Sequence, residues 1–449
     1  MAISVAELQA TLHDLFNDTA RDLAKDTGFC RRERLLTGPV FAKTVVFAAL
    51  EKHAPSLEDF ADFADEHLDV TVTPKAFDER FTQAASCFLR ELFLEAFNRS
   101  FTAQPALLPL LRRFNGVYLR DATVVSLPDG LAEIFPGRKG RDGKPSAALK
   151  LVLEVELTTG DFTEAEVLPA LDNEKTSEIA AKPLPKGALL LEDMGFLCGQ
   201  RLQGYADQGV YVLTRVPAWT AFFEAKGKGF VRLDVLKWLR QSTADRLERQ
   251  VYVFHKEKLA LRLLAVRVPE EVAEQRRQQV RQDAQKRGRP VSQRKLDLCA
   301  WNILLTNAPK ELLNAANASE VRRVRWQIEL VFKVFKSEGG IERTQARSRW
   351  RVLSELFAKL LGMVVQHWAL LCAGMVLLRH SARRLARRVR RRLGALLRAV
   401  DQPGRLGRVI ERLSRELRRC KIQRRNKQPS TFDRLLALDD EFASLDQDA

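Results

Sequence analysis

The chain has 449 residues, with 74 Lys+Arg against 57 Asp+Glu, a formal net charge of +17 and 46% hydrophobic content. That excludes a disordered tail or a fibre and leaves room for about two to four packed domains. Six Cys are scattered without a C-x-x-C pair, so neither a disulfide scaffold nor a zinc finger is expected.

The opening MAISVAELQATLHDLF lacks a basic n-region and an unbroken apolar core. Val5, Leu8, Leu12 and Leu15 fall at helical spacing, which predicts an amphipathic helix in a cytoplasmic protein. Residues 1–110 read as helices joined by short turns. Ser56 followed by Asp59 resembles a capping box, and Thr73-Pro74 an N-cap leading to Phe77, Phe81, Ala84 and Phe88 on one face. Such a region could hold a helix-turn-helix that reads DNA, or only core helices.

From Gly116 the period becomes strand-like, with strands predicted at Val117 to Asp121, Ala147 to Leu157, Phe162 to Val167 and Ala188 to Asp193, and a short helix at Asn173 to Ala181. Three strands, a helix and a strand is the order of an RNase H-like sheet, one of several α/β layouts that fit. The stretch GRKGRDGKPS, between two of these strands, lacks the spaced first Gly and the Ser/Thr of a P-loop and reads as a basic loop. Residues 206–308 look mainly β, with strands at Val210 to Val216, Phe230 to Leu236, Val251 to Phe254, Leu259 to Val268 and Leu298 to Thr306. The polar run Glu270 to Lys295 among them reads as a helix or a loop.

After Pro309 the helical pattern resumes. Leu360 to Leu378 is about long enough to cross a bilayer, but Gln366 and His367 sit at its centre, and a core helix can be apolar all round. Between Arg379 and Lys427 stand 19 Lys/Arg and three acids, Asp401, Glu411 and Glu416, so nearly all the excess charge is local. In SARRLARRVRRRLGALLRAV, Leu385, Val389, Leu393 and Leu397 make one apolar seam beneath a wide cationic face. A field of one sign that large favours a polyanionic partner, and nucleic acid is the expected one.

The segment VRRVRWQIELVFKVFKSEGGIE carries the most specific pattern. On a helix, Arg325, Glu329 and Lys336 lie within about 60° of one another, so two cations flank a carboxylate, while Ile328, Val331 and Phe335 form the buried stripe. Simple ion pairing of Glu329 with Arg325 and Lys333 would explain the same residues. The segment resembles the signature helix of bacterial insertion-sequence DDE transposases of the "IS four" group, Y-x-x-R-x-x-x-E-x-x-x-x-x-x-K. Arg325, Glu329 and Lys336 match in register, and Arg322 takes the Tyr position.

That resemblance implies two further acids at strand ends. Asp121, in YLRDATVVSLPD, and Asp193, in ALLLEDMGF, correspond, with Glu192 as the competing candidate for the second. Asp121, Asp193 and Glu329 would then be the catalytic and metal-binding residues, with Mg²⁺ as cofactor and Mn²⁺ able to substitute. Hard carboxylate oxygens suit such ions, and no His or Cys ligand is needed. Arg325, Lys336, Arg322 and Lys333 would contact DNA phosphates. Arg215, ending VYVLTR, would contact DNA, and Trp301 resembles a tryptophan that steadies a flipped base, although a ring on a strand is also an ordinary core residue.

The implied fold is α/β, an RNase H-like catalytic core interrupted by a mainly β insertion, with helical N-terminal and C-terminal regions. Its expected parts are residues 1–110, 111–205, 206–308, 309–378 and 379–449. The implied function is a DNA transposase that binds terminal inverted repeats and pairs two ends as a homodimer. It would cleave double-stranded DNA by two-metal phosphoryl transfer and join the 3′-ends to target DNA through a hairpin intermediate. Such a protein would be cytoplasmic, associated with the bacterial nucleoid and not with a membrane. A non-catalytic DNA-binding relic, or a metal-dependent nuclease without strand transfer, are the alternatives.

Overall fold

A computed structural model describes residues 3–32, 34–99, 108–139, 143, 146–174, 177–196, 198–217, 220–254, 256–402, 404–422 and 429–445. Half of the GRKGRDGKPS loop and part of the basic tail lie outside them. The described chain is mixed α/β with helical flanks. It divides into two compact units, one of residues 1–106, 121–172 and 327–428, the other of residues 107–120, 173–326 and 429–449.

The first unit is mainly helical. Ser4, Thr37, Ser56, Thr73 and Thr82 each accept a backbone N–H at a helix start, and Ser4–Glu7 and Ser56–Asp59 close full capping boxes. Each cap satisfies donors that the helix cannot, an effect worth ~1 kcal/mol. The face expected to continue from Phe77 through Phe88 is broken into two helices, Pro74–Arg80 and Gln83–Phe97. Phe81 leaves helical geometry at ψ 70°, and Thr82 caps the second helix. The aromatic rings still meet, because Phe41, Phe60, Phe77 and Phe81 form one cluster.

At the centre of this unit runs Arg349–Cys372, buried along nearly its whole length and packed on Gly38–Glu51 and Gln83–Phe97. By length and composition it could cross a membrane, but 94% of its apolar window is buried inside the protein, so it is a core helix here. Gly362 permits the close approach, since a Cβ there would lie 2.6 Å from Leu50. The Gly38–Glu51 helix is likewise buried on all sides, which makes it a structural element and not an exposed reading helix.

The first unit also holds strands β2 (Ala147–Glu156) and β3 (Phe162–Pro169), an antiparallel hairpin beside β1 (Val117–Leu127), in the order β3-β2-β1. β1 was expected to stop at Asp121. It continues six residues further because Thr123, Val124 and Val125 are β-branched and favour extended backbone. In the hairpin turn, Gly160 has φ +80° and leaves room for Leu371. Its carbonyl oxygen lies 2.6 Å from His367 Nε2, and that imidazole stacks on Phe162.

Burial pushes the His367 pKa down to about 4, against about 6.5 for a free imidazole. The unfolded chain therefore takes up a proton as pH falls below about 6.5, whereas the folded chain refuses it until about 4. Stability present above the unfolded pKa is lost across that window, by about 2 kcal/mol at pH 5 for this residue. His367→Gln is expected to flatten the acid limb of stability between pH 6.5 and 4, measured by urea unfolding at several pH values. An unchanged limb would mean that the imidazole charges freely in the folded state.

The second unit carries the rest of the strands: β4 (Leu189–Glu192), β5 (Tyr211–Arg215), β6 (Phe222–Lys226), β7 (Gly229–Arg232), β8 (Arg246–Val253), β9 (Leu259–Arg267) and β10 (Trp301–Thr306). Their order is β1-β4-β5-β10-β9-β8-β6-β7. β1, β4 and β5 are parallel, and from β10 outward every pairing is antiparallel. The β-rich stretch thus extends the sheet instead of forming a separate layer. Phe222–Lys226 was not anticipated, and Leu233–Leu236 lies beyond the β7 strand, where Asp234 caps the helix Val235–Arg240. The polar run forms a helix, Glu270–Lys286. Where a helix was expected at Asn173 to Ala181, the described residues include a 3-10 turn at Ile179–Ala181, with residues 175–176 outside the described set. Pro183 forces Lys182 into extended geometry and stops it.

Candidate active site

The parallel ladder between β1 and β4 sets Arg120 opposite Glu192. Both side chains are fully buried, and their charged ends lie 3.7 Å apart. Arg201 approaches the same carboxylate at 3.5 Å, and Arg120 donates to the Tyr205 hydroxyl at 2.6 Å. Burial pushes the Tyr205 phenol up, so it keeps its proton and accepts as a neutral group. Glu192 is thus committed to a dry ion cluster.

In each strand the next residue is an aspartate. Pleating turns Asp121 to the face of β1 away from Arg120, where it is half-buried and accepts the Ala122 N–H at 2.9 Å. Asp193 is the first residue past β4, and its carbonyl accepts the Phe196 N–H at 3.1 Å to open the 3-10 turn Met194–Phe196. Its side chain is 41% exposed, and Oδ1 accepts from Arg322 Nη2 at 3.3 Å. Asp193 is therefore the solvent-facing acid of the Glu192-Asp193 pair. At Gly195 the Glu174 carboxylate lies close against the turn, where a Cβ would meet it. Glu174 is an acid beside the turn that spacing alone did not reveal.

Glu329 lies in the first turn of the helix Trp326–Ser337. Arg325 was expected on that helix but stands just before it. The amides of Val324 and Arg325 bond three residues back, to Val321 and Arg322, and this tighter turn ends the preceding helix Ala315–Arg323. Only Glu329 and Lys336 of the expected trio share the helix. Its buried side is wider than the predicted stripe, taking in Gln327, Phe332 and Val334 with Ile328, Val331 and Phe335. Among the described residues, no three His, Cys, Asp or Glu side chains are gathered as a ready-made metal site.

The family model described as "Transposase DDE domain" matches residues 112–364, more than half of the chain and a span that contains Asp121, Asp193 and Glu329. The chain belongs to the DDE transposase family. It is 24% identical over 376 residues to the transposase of insertion sequence element IS231F from Bacillus thuringiensis subsp. israelensis, covering 80% of this chain and 78% of that one. The transposase of IS1151 from Clostridium perfringens is also 24% identical, over 360 residues and 76% of either chain. A piggyBac transposase synaptic complex with hairpin DNA covers 95% of this chain and 87% of that chain at 10% identity, with a TM-score of 0.45.

The basic residues singled out in this transposase occupy differing environments. Arg322, expected at a DNA phosphate, is only 8% exposed and holds Asp193. Lys336 bonds to the Val124 carbonyl and lies 3.2 Å from Glu342, whose Oε1 also accepts the Ser126 N–H. That ties the ammonium to β1. Lys333 is exposed, and Arg215 is exposed at the end of β5 opposite Leu304.

Trp301 is 8% exposed and packs in the core with Leu263, Leu305 and Val253, with the Arg267 guanidinium 4.4 Å over its ring. A ring so placed presents no face for a base to stack on. Trp326 is half exposed instead. The sequence held that signal, because Trp326 stands two residues ahead of Ile328 and so about 160° from the buried stripe.

Proposed function

We propose that this insertion-sequence transposase binds the terminal inverted repeats of its element as a homodimer, cuts the DNA at their ends and joins the 3′-ends to target DNA through a hairpin intermediate. The observation that carries the reading is the β1–β4 register, in which the residues after Arg120 and Glu192 are both aspartates. Glu329, in the first turn of a helix inside the family-matched span, completes the acid set. The parallel pairing of β1, β4 and β5 supports an RNase H-like core, and the +17 charge supports a DNA partner.

Asp121, Asp193 and Glu329 would hold Mg²⁺, or Mn²⁺ in its place. The donor chemistry fits, since carboxylate oxygens suit hard cations that keep several waters. When bound, such ions supply activation of the attacking water or 3′-hydroxyl and stabilisation of the departing 3′-oxygen. Arg322 donates to Oδ1 of Asp193, a positioning contact on that carboxylate. Arg325, Lys333, Lys336 and Arg215 would meet phosphate oxygens, contacts that set register without reading sequence.

The test is incubation of the full chain with duplex DNA bearing the element's ends, a supercoiled target and Mg²⁺. Hairpin-ended and then target-joined products are expected. Binding without cutting would indicate a relic, and cutting without joining would indicate a nuclease.

A further inference from the structure

The basic C-terminal stretch is not uniform. Its seam folds into the helices Ala382–Arg390, Leu393–Asp401 and Arg405–Leu417, each burying its apolar side. On the first of these, Arg383, Arg387 and Arg390 all converge on the nearly buried carboxylate of Glu338, at 2.8, 3.0 and 3.2 Å. Burial alone would raise that carboxyl, but hydrogen bonds from Arg387 and Arg383 hold it below its ordinary value. These three arginines share one carboxylate within the fold.

The next two helices differ. A cavity of about 310 Å³ between them is lined by Arg392, Arg398, Arg405, Arg408 and Arg412, with Ala395 and Val409 at its floor. Arg405, Arg408 and Arg412 follow the i, i+3, i+7 spacing that puts side chains on one stripe. The Leu406, Ile410 and Leu413 side chains beneath them are buried and fix that stripe in place. Arg392 is paired with Glu416. Arg398, Arg405, Arg408 and Arg412 are exposed and, among the described residues, meet no carboxylate.

Four uncompensated guanidiniums around one concavity repel each other, and an anion in the groove relieves that repulsion. Seven residues of helix span ~10 Å, against a rise of about 3.4 Å per nucleotide along one DNA strand. The stripe therefore matches a run of about three phosphates better than one small ion. The forked guanidinium geometry suits phosphate oxygens.

We infer that the groove between Leu393–Asp401 and Arg405–Leu417 is a binding site for the phosphodiester backbone of duplex DNA. It rests on the reading that the protein acts on DNA, and it lies on elements that carry none of the three proposed catalytic acids. Because it meets only backbone, it holds DNA without regard to sequence.

The test is the salt dependence of DNA binding by the full chain with Arg408→Gln and Arg412→Gln together, read by fluorescence anisotropy on terminal-repeat and scrambled duplexes. The slope of log affinity against log salt is expected to fall by about 2, alike on both duplexes. Arg408→Lys with Arg412→Lys should retain most of the slope. An unchanged slope in the Gln variant, with its melting temperature intact, would overturn the assignment. So would inorganic phosphate stabilising the wild type but not the variant while the DNA slope stays fixed, since the groove would then take only a free anion. A reduced slope supports the groove even if the wild type fails to cut DNA, whereas an unchanged slope with normal cutting sinks the groove alone.

Discussion

Glu329→Gln is expected to bind terminal-repeat DNA as the wild type does and to cut it at least about a thousandfold more slowly. Replacing one carboxylate oxygen by an amide nitrogen removes a charged donor from the proposed metal set. A loss of about 4 kcal/mol of transition-state stabilisation corresponds to that factor. Glu329 is only half-buried in the first turn of its helix, and Gln preserves its size, so the fold is expected to survive. Asp121→Asn and Asp193→Asn should behave alike. The measurement is the single-turnover rate of end cleavage in Mg²⁺, alongside binding and thermal unfolding of each variant. Cleavage by Glu329→Gln at the wild-type rate would remove Glu329 from the chemistry and with it the three-acid reading.

Local patterns were legible because they are local. Ser56 with Asp59, and Thr73 with Pro74, announced helix starts that depend only on neighbouring donors. The period of four through Leu385, Val389, Leu393 and Leu397 identified buried positions, although the chain breaks into two helices between Arg390 and Leu393. Strand ends were less legible, since β1 runs past Asp121 on the strength of three β-branched or extended residues that a search for a terminal acid overlooks. What the sequence could not show is partnership across long separations. Arg322 reaching Asp193, Glu338 gathering three arginines and Glu192 sinking beside Arg120 are all set by strand register and helix packing. Residue type and spacing therefore reach local elements but not the partners that these side chains meet across the fold.

Glu192→Gln is expected to destabilise the folded protein by about 3–5 kcal/mol, whereas Asp193→Asn should change stability by less than about 1 kcal/mol. The two residues adjoin, but their surroundings separate them. Arg120 and Glu192 have no exposed side-chain surface, and Arg201 adds a second cation at the same carboxylate. An amide removes the carboxylate charge that both guanidiniums approach in a dry interior, and the cost of that is desolvation no longer offset by its attraction. At Asp193 the side chain is partly open to solvent, and Asn keeps an acceptor for Arg322. Urea unfolding without divalent cations isolates this effect from metal binding, because the loss at Glu192 requires no ion. A loss well below about 1 kcal/mol for Glu192→Gln would mean that the cluster is hydrated. The choice of Asp193 over Glu192 as the second catalytic acid would then have to be made on activity alone.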